Sequence, residues 1–134
     1  GTNIMSGIAV RDERPGVNFE YEGESFFQER IWLPLSERSS KFQALRHVTG
    51  WAGLYEISPD ESAIIGEVSS GTASGTGRIY ESHSYSGHGI MHSYACGRAL
   101  AEKIVHGRYE TLDLEMLSGS RFESDRLVQE AAVI

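Results

Sequence analysis

The sequence predicts an α+β fold, and three observations carry that prediction. From Trp51 to Ile57 the side chains alternate with period two, Trp51, Gly53, Tyr55 and Ile57 on one side and Ala52, Leu54 and Glu56 on the other, as on a strand. From Ile90 to Val105 the pattern is helical, and Gly107 supplies a natural stop. Two Ser-x-x-Gln spacings, Ser25 to Gln28 and Ser40 to Gln43, mark the starts of shorter helices.

Taken in order, Ile4 to Val10 reads as a short strand, and the charged run from Arg11 to Gly23, with Pro15, as an irregular connection. The helix opened by Ser25 is expected to run through Trp32 and to be interrupted at Pro34, which lacks the N–H a helix interior needs. In the helix opened by Ser40, Phe42 and Leu45 are three apart and share a face. After the strand ending at Ile57, Pro59 and Asp60 suit a turn, and Ala63 to Val68 is expected to return as the hairpin partner of that strand. Residues 69–77 are small and polar and read as a loop; no Gly-Lys-Ser/Thr follows to make them a phosphate cradle. A strand is expected from Arg78 to Ser84. Along the helix that follows, Ser93, Gly97 and Ala101 recur every four residues, so its backbone can approach a neighbouring sheet or ligand closely. Beyond a short helical stretch around Thr111 to Leu117, the tail carries little pattern.

Composition narrows the function classes. A hydrophobic content of 40% over 134 residues suits one domain, or a piece of a larger one. No run approaches the roughly 20 apolar residues of a transmembrane helix, and the first residues lack the layout of a signal peptide, so the chain reads as soluble and cytoplasmic. With a net charge of −7 and scattered basic residues, a nucleic-acid partner is disfavoured and a small organic ligand preferred. Cys96 is the only cysteine, which rules out an internal disulfide or a thiolate cage and points to a buried small residue.

The chemically informative feature is strand, then Gly87-His88-Gly89, then helix. A helix N-terminus presents unpaired N–H groups and partial positive charge, and glycines let an electron-rich group come near. The motif is also what a tight structural turn looks like, and it lacks the third glycine of a dinucleotide fingerprint, since His92 stands there. His83, His88 and His92 cluster in sequence without an HExxH arrangement, so no metal is assigned to them. Tyr55, Tyr80, Tyr85 and Tyr94 are amphipathic and suit either core or polar lining. SYSGHG is not the GxSxG elbow of a serine nucleophile.

Two longer stretches carry a resemblance. GWAGLYEISPDESAIIG (50–66) and SYSGHGIMHSYACGRALAE (84–102) together resemble the C-terminal hallmark of the FAD-dependent D-amino-acid-oxidase-like family, which includes glycine oxidase, sarcosine oxidase and dimethylglycine dehydrogenase; the likeness extends over residues 15–117. It implies a partial two-domain flavoenzyme fold. Residues 1–68 would belong to a substrate-binding domain with antiparallel strands, 69–77 to a loop, 78–118 to the closing strand, turn and helix of an FAD-binding domain, and 119–134 to a tail.

The resemblance further implies oxidation of a C–N bond of an amine or amino acid. Gly87, His88, Gly89, Ile90 and Met91 would contact FAD, mainly through backbone, and Tyr55 would be a substrate-lining residue. A positive helix dipole suits the negative charge a flavin gains on reduction. Some members carry a lysine where Met91 stands and, for covalent flavin, a cysteine where Gly53 stands; Tyr94 replaces a proline of close relatives. The non-covalent FAD would need a further partner, because the GxGxxG turn that binds its ADP half is not among these residues. The chain is accordingly expected to be a fragment, inactive alone, whose exposed apolar surface meets a missing N-terminal FAD-binding region or subunit, or a second copy in a homo-oligomer. The other reading from the residues is a non-catalytic interaction module that retains the fold.

Overall fold

The computed structural model describes residues 3–68 and 77–129. The loop expected at 69–77 therefore lies, but for Gly77, outside the described residues. The chain divides into two compact units, Gly1–Leu54 and Tyr55–Ile134. Within the described residues the class is α+β, one long helix and several short helical turns with one two-stranded antiparallel sheet.

In the first unit, helix α1 (Glu24–Phe26) passes into a π-helical turn, Phe27–Trp32, and then into α2 (Leu33–Arg38). Two expectations are corrected here. Ser25 does not cap: its hydroxyl donates to the Glu22 carbonyl, and Gln28 Nε2 donates to Glu24 Oε1 at 2.9 Å. Nor does Pro34 end the helix. In a regular α-helix its ring would press on the carbonyl of Arg30, four residues back; in the wider turn Leu33 N–H instead reaches the Gln28 carbonyl, five back, and Pro34 falls within the first positions of α2. The next turn, a 3₁₀ helix Ser40–Phe42, is capped one residue earlier than expected, by Ser39, whose Oγ accepts from Lys41 N–H.

An aromatic group packs this unit. The Tyr21 ring meets Phe26 edge-on at 5.7 Å and its hydroxyl is hydrogen-bonded to His47 Nε2 at 3.0 Å, while His47 lies 5.4 Å from Phe27. Gly50 is required beside it, since a Cβ there would stand 2.5 Å from the Tyr21 ring. No strand forms at Ile4 to Val10 or between Val48 and Ile57. A period-two run states only that a strand could pair, and no partner ladder is present along it; Trp51 is 74% exposed.

In the second unit, β1 (Ile64–Glu67) pairs antiparallel with β2 (Tyr80–His83) in the register Ile64 to His83 and Glu67 to Tyr80. The strand expected at Arg78 to Ser84 thus forms, but its partner is 64–67, which pairs with β2 and not with 51–57. Ile57 contributes a single antiparallel bridge, to Tyr85. Helix α3 (Gly89–His106) packs on the sheet, with Ile65, Cys96, Ala99 and Leu114 forming the buried core and Tyr85, Leu100 and Tyr109 packed around it. Cys96 is buried, as its solitary place in the sequence suggested.

Gly107 ends α3 in the left-handed conformation (φ 74°), its N–H returning to the Lys103 carbonyl at 3.0 Å. The chain is then held against the helix by Glu102, whose carboxylate accepts from the N–H groups of Glu110 and Thr111 and from the Thr111 hydroxyl. Two 3₁₀ turns follow, Glu115–Leu117 and Gly119–Phe122. No helix among the described residues is long and apolar enough to cross a membrane.

Candidate functional site

The turn joining β2 to α3 is built by backbone conformations that few residues adopt. Ser84 (φ 57°), Ser86 (φ 50°) and Gly87 (φ 93°) all have positive φ. For Gly87 the absence of a Cβ removes the steric penalty; the two serines hold the conformation through bonds from the chain beside them. Glu56 supplies both. Its carboxylate Oε2 accepts from Ser84 N–H at 3.1 Å and its carbonyl accepts from Ser86 N–H at 3.1 Å. Ser86 is buried, with its hydroxyl directed to the Ser84 carbonyl. This support was not legible in the sequence, where Glu56 is one acidic residue among 19 acidic ones.

Tyr85 packs beneath the start of the helix. Its hydroxyl and Ser82 Oγ are hydrogen-bonded at 2.6 Å, and Gly89, in the first turn of α3, lies against this side chain: a Cβ there would be in van der Waals contact with the Tyr85 Cβ at 3.4 Å. Burial pushes the Tyr85 phenol above its ordinary range.

His88 is the N-cap of α3, and its side chain makes no capping hydrogen bond. His88 N–H returns to the Tyr85 carbonyl, and the first bond of the helix runs from His92 N–H to the His88 carbonyl at 3.2 Å. The amides of Gly89, Ile90 and Met91 thus precede the ladder, at the positive end of an 18-residue helix whose first turn carries no acidic residue. This arrangement fits an electron-rich group held through backbone, which is the test the expected flavin edge has to meet. Ile90 and Met91 are exposed beside it.

The five residues Gly87 to Met91 are therefore brought together at one helix end. Tyr55 is half exposed and adjoins Glu56, the residue that braces the turn, but it lies on irregular backbone and not on the strand expected there. His88 and His92 stack with ring centres 5.6 Å apart, and His83 turns away to Ser84 Oγ and Glu81. Among the described residues no three His, Cys, Asp or Glu side chains converge to hold a metal ion. A cavity of 240 Å³ lies between the sheet and the Gly119–Phe122 turn, lined by Ile64, Glu81, Phe122 and Glu123 among others, and none of Tyr55 or Gly87 to Met91 borders it.

No family model matches the chain, and no solved structure matches it. Curated relatives do. The chain is 32% identical over 136 residues to FAD-dependent oxidoreductase domain-containing protein 1 of Xenopus laevis and 30% identical over 138 residues to the protein of that name from Bos taurus, its full length being aligned in both. A homolog from Drosophila melanogaster is 31% identical over 120 residues, 89% of the chain. The chain spans about a quarter of the length of these relatives, 26%, 27% and 22% respectively. These homologues, by name FAD-dependent oxidoreductases, cover every residue of the turn and of α3.

Proposed function

We propose that this chain is the flavin-facing part of an FAD-dependent oxidoreductase that oxidises a C–N bond of an amine or amino acid. The observation that carries the reading is the glycine-flanked N-terminus of α3, not capped by the side chain of His88 and without an acidic residue in its first turn, in a chain aligned throughout with relatives named for FAD dependence.

On this reading the amides of Gly89, Ile90 and Met91 hold the electron-rich edge of the isoalloxazine ring, and Gly87 keeps a Cβ out of the approach. The FAD supplies a two-electron acceptor for the hydride equivalent that leaves the carbon next to nitrogen. Glu56, through Ser84 and Ser86, fixes the angle at which the helix end is presented. Tyr55, one residue away, lies on the substrate side. FAD is bound without a covalent link from this chain, and its ADP half is held by a region beyond these residues or by another subunit.

The test is the visible spectrum of protein purified from the complete coding region that contains this chain, recorded before and after adding secondary and tertiary amines and amino acids. A flavin spectrum that bleaches with one of them supports the reading and identifies the substrate class. A colourless protein that takes up no added FAD overturns it, leaving an interaction module.

A further inference from the structure

The two faces of the β1–β2 sheet differ in what covers them. Ile65, buried with Cys96 and Ala99, marks the face against α3. Side chains alternate along a strand, so Ile64 and Gly66, with their ladder partners His83 and Glu81, belong to the opposite face. The Gly119–Phe122 turn comes against that second face, and the cavity of 240 Å³ lies between them. Ile64, Val68 and Phe122 are its apolar walls, Glu81 and Glu123 its charged ones, and no lysine or arginine lines it. Arg121 stacks on the Phe122 ring at 4.2 Å, but its charge is met by Asp60.

Two glycines leave the Glu81 carboxylate uncovered. Gly66, at φ 148°, stands opposite Glu81 in the ladder, so no side chain reaches across the strand pair to it. Gly119 lies on the facing turn, where a Cβ would come within 2.6 Å of Glu81 Oε1. The two oxygens of Glu81 are used unequally. Oε2 meets His83 Nε2 at 3.2 Å, and the other nitrogen of that ring is tied to Ser84 Oγ. Oε1 accepts no hydrogen bond among the described residues, although the side chain is only 24% exposed. An oxygen so placed favours a donor that carries positive charge.

We propose that this cavity binds a small alkylammonium ion. The ammonium group donates to Glu81 Oε1, with the Glu123 carboxylate as a second source of negative potential, and the alkyl chain lies against Ile64, Val68 and Phe122. The volume of 240 Å³ is below the roughly 300–1,000 Å³ of pockets for drug-sized ligands, so the chain is short. A neutral ligand of the same shape leaves Oε1 without a counter-charge, and an anion is repelled by both carboxylates. The cavity borders neither Tyr55 nor Gly87 to Met91, so the site is separate from the helix end and independent of flavin.

The experiment is ligand-observed NMR titration of the protein from the complete coding region with n-butylammonium, and with n-butanol and butyrate as the neutral and anionic probes of the same chain. Saturable binding of n-butylammonium is expected, weakened by about tenfold or more in Glu81→Gln, which removes the charge and keeps the shape and corresponds to the loss of one hydrogen bond to a charged group. Glu123→Gln is expected to weaken it less, and Gly119→Ala to weaken it by filling the space beside Oε1. Circular dichroism checks that each variant is folded. Absence of saturable binding overturns the proposal, as does equal binding of n-butanol or butyrate. Binding that neither E81Q nor G119A alters also overturns it, since the amine is then held elsewhere, the helix end included. Saturable binding that E81Q weakens in a protein without flavin sustains this site and removes the flavin reading alone.

Discussion

Arg121 holds Asp60 from both sides of its carboxylate: Nε donates to Oδ2 at 2.7 Å and Nη2 to Oδ1 at 2.8 Å, across 61 residues of chain. Both are buried, Asp60 at 0% exposure and Arg121 at 4%. The guanidinium also donates to the carbonyls of Ser62, Leu117 and Ser118, and the carboxylate also accepts from Ser58 Oγ and Val128 N–H. One ion pair thus joins the turn before β1 to the segment after α3. Burial of a charge pair is tolerated because every donor and acceptor is met.

Arg121→Met is expected to destabilise the second unit by about 3–5 kcal/mol, since it leaves a buried carboxylate without its counter-charge. The urea midpoint followed by circular dichroism checks this. A loss below about 1 kcal/mol would show that the pair is solvated. Amide exchange at Val128 is expected to accelerate in the same variant.

Acid should release the two carboxylate anchors in order. The backbone N–H of Thr111 is the main influence that lowers the Glu102 carboxyl, to about 2, with the Glu110 N–H, the Thr111 hydroxyl and Arg98 adding to it against burial. Asp60 is held still further below the usual carboxylate range, first by the Arg121 hydrogen bonds. A depressed carboxyl stabilises the fold above its unfolded pKa and loses that contribution as pH falls through its folded one. Both contributions are therefore expected to begin fading near pH 4, where the unfolded carboxyls take up protons; that of Glu102 is spent by about pH 2, while that of Asp60 goes on falling at lower pH. Carboxyl carbon shifts followed by NMR titration check the order; a Glu102 midpoint near 4 would contradict it.

Gly97→Ala is expected to stabilise the 134-residue chain by about 0.8–1.0 kcal/mol, because the helix gains propensity and the new Cβ meets nothing within 4 Å. Thermal unfolding measures it. No gain, or a loss, would mean that α3 is already contacted at this position.

At Gly87 the sign reverses. Its φ of 93° is unfavourable for any residue with a Cβ, so Gly87→Ala is expected to cost about 1–2 kcal/mol or to displace the turn. In the complete protein the same variant should lower flavin content. Unchanged stability together with unchanged flavin content would show that the turn tolerates a side chain.

What the sequence disclosed follows from how local each signal is. Helix α3 was legible nearly to the residue because its period, its opening glycines and Gly107 lie within one stretch. The segment of β2 was legible too, but its partner was not: 48–57 and 63–68 both look able to pair, and only the second forms a ladder, the first giving the single Ile57–Tyr85 bridge. Helix continuation past Pro34 escaped because a proline marks a break only when the turn before it has α geometry. At the candidate site, the succession of strand, Gly87-His88-Gly89 and helix could be read from residue types, whereas the bracing by Glu56 joins positions 28 residues apart in the case of Ser84. The tail looked featureless because the value of Arg121 depends on where Asp60 ends up.

The π-helical turn at Phe27–Trp32 makes this part of the chain sensitive to length as well as to composition. Such a turn is what one additional residue produces inside an α-helix. Deleting any single residue there would leave a regular helix, rotate the side chains of α1 by about 100° relative to those of α2, and bring the Pro34 ring against the carbonyl it now avoids. In the lineage of this protein, an indel of one residue between Phe27 and Trp32 would therefore be less tolerable than most substitutions at the same positions.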